Sequence, residues 1–208
     1  MNLFASERDI KPIHLPLEDG DVTYYPAFLS QEEASEYYNI LFTETDWQQD
    51  DIKIFGKIYP QPRLTALYGD TTKSYSYSGI TMFPKPFTPT LSAIKNKIED
   101  LMGIQFTSVL LNLYRDGTDS NGWHSDDEKE LGNQPIIASL SLGATRMFHL
   151  KHKYTTSKSY KLPLEAGSLL IMKGNTQHNW KHQIPKTKKK VDSRINLTFR
   201  IIKNDERN

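Results

Sequence analysis

His124-Ser125-Asp126 sets an imidazole and a carboxylate two residues apart. In an extended segment, residues i and i+2 project to the same side, so both groups can reach one metal ion. A histidine distant in the chain would complete a two-His-one-carboxylate set. That donor set suits non-haem Fe(II) and leaves positions open for substrate and oxygen. The candidates for the third ligand are His14, His149, His152, His178 and His182. His178 is favoured because it follows a strand-like run at 168–173 and precedes another strand-like segment. A His-x-Asp tripeptide is also a common surface or turn feature, so its context decides its weight.

Part of that context is the run Arg194-Ile195-Asn196-Leu197-Thr198-Phe199-Arg200. Its strict alternation predicts a strand with Ile195, Leu197 and Phe199 on one face and Arg194, Asn196, Thr198 and Arg200 on the other. A half-buried strand with a solvated polar face reads the same way. Two arginines on one face also suit a dicarboxylate, because a planar guanidinium bonds both oxygens of a carboxylate. Their Cα atoms stand about 20 Å apart along an extended strand, so they would hold different ends of the ligand. Asn112 and Tyr114 repeat the i, i+2 arrangement on another predicted strand and can hydrogen-bond the same molecule.

These residues need a scaffold. Ser30, with Glu33 three residues on, forms a capping-box pattern before a helical stripe of Ala34, Tyr37, Tyr38, Leu41 and Phe42. A second helix is predicted to begin after Thr88 with Pro89 in its first turn. Its stripe is Leu91, Ile94, Ile98, Leu101 and Met102, and Gly103 ends it. Short β-like runs follow, near 106–114, 136–142, 146–151, 159–162, 168–173 and 194–202. The aromatic-rich stretch 50–82 reads as hairpins. The expected fold class is α+β, a sheet sandwich or jelly roll with flanking N-terminal helices and hairpins. Residues 1–20 are expected to be a loose arm, and 21–208 a single domain.

The chain of 208 residues has no cysteine, which excludes disulfides, thiol catalysis and iron–sulfur clusters. Any metal must be held by His, Asp and Glu. No apolar run approaches the roughly 18 residues of a membrane span, and the mixed, charged first twenty residues do not read as a signal peptide. The formal net charge of +1 hides an asymmetry: residues 151–208 hold 14 Lys/Arg against 4 Asp/Glu. Such a split suggests an anionic partner for one part of the molecule.

Taken in order, His124-Ser-Asp126, His178 and Arg194-x-Asn196-x-Thr198-x-Arg200 resemble the AlkB-type Fe(II)/2-oxoglutarate dioxygenases. The resemblance extends to Asn112-x-Tyr114, Ser139-x-Ser-x-Gly, the 167–172 strand, Pro62-Arg63-Leu-Thr-Ala66 and Tyr68-Gly-Asp70. It is strongest toward the nucleic-acid repair demethylases typified by human AlkB homologues 2 and 3. It implies a double-stranded β-helix, with His124, Asp126 and His178 as iron ligands. It implies that Arg194 binds the distal carboxylate of 2-oxoglutarate and Arg200 its other end, with Asn112, Tyr114, Asn196 and Thr198 completing the pocket. The implied cofactors are Fe(2+), 2-oxoglutarate and O2. The implied reaction is hydroxylation of the N-methyl carbon of a damaged base, such as N1-methyladenine or N3-methylcytosine, followed by loss of formaldehyde.

The same resemblance places a base-contacting carboxylate at Glu128, a hairpin finger at Phe55, Gly56 and Lys57, and a base-binding lid around Arg63, Tyr75 and Tyr77. Each of these has a plain structural reading: loop charge for Glu128, local packing for Phe55, a packed strand face for the tyrosines. Lys186, Lys188, Lys189 and Lys190 form a basic loop suited to phosphates, or a solvated loop. The expected partner is alkylated DNA, with RNA as the alternative, for a monomer that contacts no membrane. The expected compartment is intracellular: cytoplasmic in a bacterium, nuclear in a eukaryote. Rival readings are a metal-free nucleic-acid-binding jelly roll and a hydroxylase of proteins or small molecules.

Overall fold

Ser30 caps the first helix as the sequence predicts. Its Oγ accepts the Glu33 N–H, and the Glu33 carboxylate accepts the Ser30 N–H. Thr88 caps the second helix, Pro89 starts it, and Gly103 closes it in the left-handed conformation at φ 66°. The computed structural model describes residues 11–54, 56–70, 75–77, 80–155 and 157–203, with backbone alone at 53–54, 75–77 and 80–81. In chain order the elements are β1 (Ile13–His14), β2 (Asp21–Tyr25), α1 (Gln31–Glu44), β3 (Asp51–Ile54), β4 (Lys57–Pro60) and β5 (Leu64–Gly69). Next come β6 (Tyr75–Tyr77), β7 (Ile80–Met82), α2 (Pro89–Met102), β8 (Ser108–Tyr114), β9 (Asn121–His124) and β10 (Ile137–Gly143). The last are β11 (Arg146–His152), β12 (Ser159–Leu164), β13 (Leu169–Lys173), the one-turn α3 (Thr176–Asn179), β14 (Trp180–Ile184) and β15 (Arg194–Arg200).

Two sheets form the sandwich. The larger runs β1-β2-β13-β10-β15-β8-β5 and the smaller β12-β11-β14-β9. This is the expected jelly roll. One face of the large sheet packs on α1 and α2 through Leu111, Leu140, Leu197 and Phe199 against Ala34, Leu91, Ile94 and Ile98. Each of the three α2 side chains is fully buried, worth roughly 1.5–3 kcal/mol apiece. The other face meets the small sheet through Leu110, Tyr114, Ile137 and Met172 against Phe148, Leu150, Leu164 and Trp180. Of the stretch 50–82 expected to form hairpins, β3–β4 and β6–β7 do so and stand apart from both sheets, whereas β5 between them joins the edge of the large sheet beside β8.

Three expectations change. Phe42 and Leu101, placed on apolar helix stripes, are 44% and 39% exposed, because they sit at the margins of faces covered by the sheet. The arm ends earlier than residue 20: β1 pairs with β2, and Leu15 and Leu17 enter the core between the sheets. Strands β9 and β14 were not anticipated, and they carry much of the site.

The capping box carries a pH signature. The backbone bond from Ser30 lowers the Glu33 carboxyl to about 2, with Lys97 and the Ser30 hydroxyl assisting against a smaller opposing effect of burial. A depressed carboxyl stabilises the fold above its unfolded value, and this is lost as pH falls through the folded value. Glu33→Ala is therefore expected to cost about 1 kcal/mol near neutrality. Urea unfolding should show the gap from the unsubstituted chain closing as pH falls from 4.5 toward about 2. A gap independent of pH would contradict the cap's ionic contribution.

Candidate active site

Strand β15 is buried along its whole length. Its apolar face enters the helix-side core, while Arg194, Asn196, Thr198 and Arg200 all turn into one cavity between the sheets. Asn112 and Tyr114 of β8 line the same cavity, with apolar walls from Leu110, Phe148, Leu164 and Met172. The solvated-face reading of β15 is thereby excluded.

At one end lie His124, Asp126 and His182, whose ligand atoms are within 4.8 Å of one another. His124 closes β9 and pairs directly with His182 of β14. Their ring centroids are 4.2 Å apart. His182 Nε2 is 3.6 Å from the Asp126 carboxylate. Arg200 donates to the other Asp126 oxygen at 2.6 Å.

Protonation follows from these neighbours. Burial alone would raise the Asp126 carboxyl, but Arg200, His182 and His124 outweigh it and hold it below the usual carboxylate range. Burial, reinforced by His124, pushes His182 down to about 3 despite Asp126. His124 is lowered as well, chiefly by burial. At neutral pH the cluster is thus one carboxylate and two neutral imidazoles. His124 Nδ1 lies 2.8 Å from the Gly122 carbonyl, which assigns the proton to Nδ1 and leaves Nε2 as the ligand nitrogen. Such a donor set on one wall of a cavity fits Fe(II).

His178 is not part of this cluster and is replaced by His182. His178 lies on α3, exposed, with Nε2 2.8 Å from Asn133 Oδ1. The cause is local: α3 is a single turn that inserts between β13 and β14. Only at Trp180 does the chain regain strand alternation, which turns Trp180, His182 and Ile184 inward. That alternation, with Lys181 and Gln183 between, was the available signal.

The far end holds the other arginine. Arg194 is 1% exposed and donates from one terminal nitrogen to Ser141 Oγ at 2.9 Å. Among the described residues, its Nε and second terminal nitrogen have no hydrogen-bond partner. Among the described residues no carboxylate pairs with it. Burial and Arg146 lower its pKa to about 10, against Tyr114, so it stays cationic. A desolvated cation with idle donors calls for an anion. Asn196 is engaged with Ser139 Oγ and the Leu140 carbonyl, and Thr198 donates to Asn196 Oδ1. These two brace the wall they line. Ser141, in the Ser139-x-Ser-x-Gly run, holds Arg194 in place, a role its sequence setting does not predict.

The substrate-side residues are placed less completely. Arg63, expected in a lid, is buried. Its Nε donates to Asn112 Oδ1 at 2.7 Å and a terminal nitrogen to the Ser120 carbonyl. Pairing of β5 with β8 draws it behind the cavity, where its donors find those acceptors. Gly56, at φ 81°, supports the tight β3–β4 turn, and Lys57 beside it is exposed. Phe55 lies outside the described residues, as do the side chains of Tyr75 and Tyr77. Glu128 is half-buried at the start of the turn Lys129–Leu131. Asp127 points away and pairs with Lys153 at 3.0 Å.

The chain is similar to known proteins in a consistent way. The 2OG-Fe(II) oxygenase superfamily profile matches residues 6–200. Over 196 residues the chain is 46% identical to alpha-ketoglutarate-dependent dioxygenase alkB homolog 3 of Bos taurus, covering 88% of this chain and 66% of that protein. It is 45% identical to the Homo sapiens protein of the same name, covering 89% and 68%. It is 39% identical to the DNA oxidative demethylase ALKBH2 of Homo sapiens, covering 91% and 76%. The chain thus spans about two thirds of the length of the homolog 3 relatives. Among solved structures, OsALKBH1 superposes with a TM-score of 0.63 at 16% identity, covering 91% of this chain and 100% of that one, which bears on fold alone.

Proposed function

Because the chain belongs to the 2OG-Fe(II) oxygenase superfamily, we propose that it is an iron- and 2-oxoglutarate-dependent dioxygenase that demethylates N-alkylated bases in DNA. One observation carries the reading. One cavity between the sheets joins the His124/Asp126/His182 donor set to a guanidinium, Arg194, two of whose nitrogens lack a hydrogen-bond partner among the described residues. His124, Asp126 and His182 would hold the iron. Arg194 would bind the distal carboxylate of 2-oxoglutarate through its fork. Arg200, beside Asp126, would meet the end nearest the metal. Tyr114 and Asn112 would complete the polar contacts, and the walls of Leu110, Phe148, Leu164 and Met172 would exclude water. Bound iron and 2-oxoglutarate would supply oxidation of the N-methyl carbon by dioxygen, after which the methyl group leaves as formaldehyde.

A nucleic-acid substrate is supported by the names of the DNA oxidative demethylase relatives and by charge. Strands β9, β11, β12 and β14 contain no Asp or Glu. Lys161 and Lys181 stand exposed on them, and Lys186, Lys188, Lys189 and Lys190 are exposed in the loop that follows. Such groups neutralise phosphates without reading sequence. Glu128 would face the cationic methylated base. Phe55 would wedge into the vacated base stack, since a stacked target must leave the duplex to be reached. No described helix is long and apolar enough to cross a membrane.

The test is formaldehyde release from N1-methyladenine and N3-methylcytosine in single-stranded DNA, duplex DNA and RNA side by side, with iron omitted as control. Release from DNA that needs iron and 2-oxoglutarate is expected. Release from RNA alone would move the substrate to the alternative. Release from none of the three would end the base-repair reading.

A further inference from the structure

Gln177, on α3, is 0% exposed, yet it is polar and serves none of the roles assigned above. Burying a carboxamide is unfavourable unless its bonds are made, and an apolar side chain would fill the same space. What the amide does is specific. Its Oε1 accepts the backbone N–H of Asp126 at 2.9 Å, and its Nε2 points to Met172 Sδ at 3.6 Å. Ser125 Oγ donates to the Trp180 carbonyl at 2.9 Å, and Lys153 Nζ donates to the Gln177 carbonyl at 2.7 Å. The loop bearing Asp126 is therefore docked on residues 177–180, the segment that runs directly into β14 and His182. Asp126 is held at two points: its carboxylate by Arg200 and its backbone by Gln177.

We propose that Gln177 is a positioning residue that fixes Asp126 on the segment delivering His182, so that the carboxylate and the second imidazole reach a metal ion as a unit. This rests on the reading of His124, Asp126 and His182 as the metal-binding set. Pairing of β9 with β14 sets His124 opposite His182, but Asp126 lies two residues beyond the end of β9, where its backbone is outside that ladder and is held by Gln177. Outer groups that orient metal ligands typically change affinity by about 10–100-fold when removed.

The experiment titrates the metal-free 208-residue chain with Co(II), whose visible bands report donor set and geometry. Gln177→Leu is compared with Ile98→Ala, a cavity variant in the distant helix-side core that sets the effect of lost stability alone. Thermal unfolding of the metal-free forms ranks the two. Gln177→Leu is expected to bind Co(II) at least about tenfold more weakly, with altered bands, while Ile98→Ala keeps the affinity and spectrum of the unsubstituted chain despite its lower melting temperature. Unchanged affinity and spectrum in Gln177→Leu, or an equal loss in Ile98→Ala, would overturn the proposal. If the unsubstituted chain binds no Co(II), or Asp126→Ala binds it equally well, the metal-binding set itself fails, and that result is separable from the first two.

Discussion

His182→Ala is expected to abolish 2-oxoglutarate turnover, while His178→Ala keeps it within about twofold of the unsubstituted chain, since a surface change away from such a centre has little effect. The two histidines are four positions apart, and their surroundings differ in every respect that matters for ligation. His182 is 5% exposed, lies against His124 and Asp126, and is held neutral by burial, so its lone pair is available. His178 is exposed and engaged with Asn133. A metal centre contributes several kcal/mol to a reaction, and about 4 kcal/mol corresponds to about a thousandfold in rate. A loss of that order is expected for His182→Ala and equally for Asp126→Ala, read as succinate formed per enzyme. Circular dichroism should show His182→Ala folded, because the core between the sheets keeps its aliphatic and aromatic members, while thermal unfolding of Asp126→Ala separates lost turnover from the cost of burying Arg200 without that carboxylate. The reverse pattern, with His178→Ala silent and His182→Ala active, would dismantle the site as described.

The difference between these two histidines shows what could be read in one dimension. The β15 alternation was legible because four polar side chains recur at period 2 through an apolar strand, and the helix caps were legible because Ser30, Glu33, Thr88, Pro89 and Gly103 act within a turn of themselves. Asp126 and His124 were legible as a local pair. What was not legible is pairing at a distance. β9 and β14 meet across 58 positions, His124 opposite His182, and a five-residue strand behind a one-turn helix gives little periodicity to work from. The partners of Arg63 were not legible for the same reason. Its motif sits at the head of β5, but only pairing of β5 with β8 turns the guanidinium toward Asn112. The bond from Asp126 to Gln177 likewise joins residues 51 apart, and no spacing rule anticipates it.

Arg194→Met is expected to raise the KM for 2-oxoglutarate by at least about a hundredfold without lowering the stability of the free protein. The two halves follow from one fact. In the free chain Arg194 is a buried cation whose described neighbours include the Ser141 hydroxyl, Tyr114 and another guanidinium, Arg146, and whose Nε and one terminal nitrogen have no hydrogen-bond partner among the described residues. Such a group adds little to folding, and replacing a buried charge by an apolar side chain of similar volume is often neutral or stabilising. With a dicarboxylate present the balance inverts. The fork meets a carboxylate in a desolvated pocket, and removing one partner of a buried pair costs about 3–5 kcal/mol, or about two to three and a half decades of affinity at about 1.4 kcal/mol each. Arg194→Lys should recover only a fraction of this, since an ammonium keeps the charge but loses the two-pronged geometry. The measurement is 2-oxoglutarate dependence of succinate formation together with thermal unfolding of the free variants. A KM near that of the unsubstituted chain would detach the buried guanidinium from the cosubstrate. A fall in melting temperature matching the rise in KM would make Arg194 a structural residue of the sheet, and the cavity would need another explanation for its uncompensated charge.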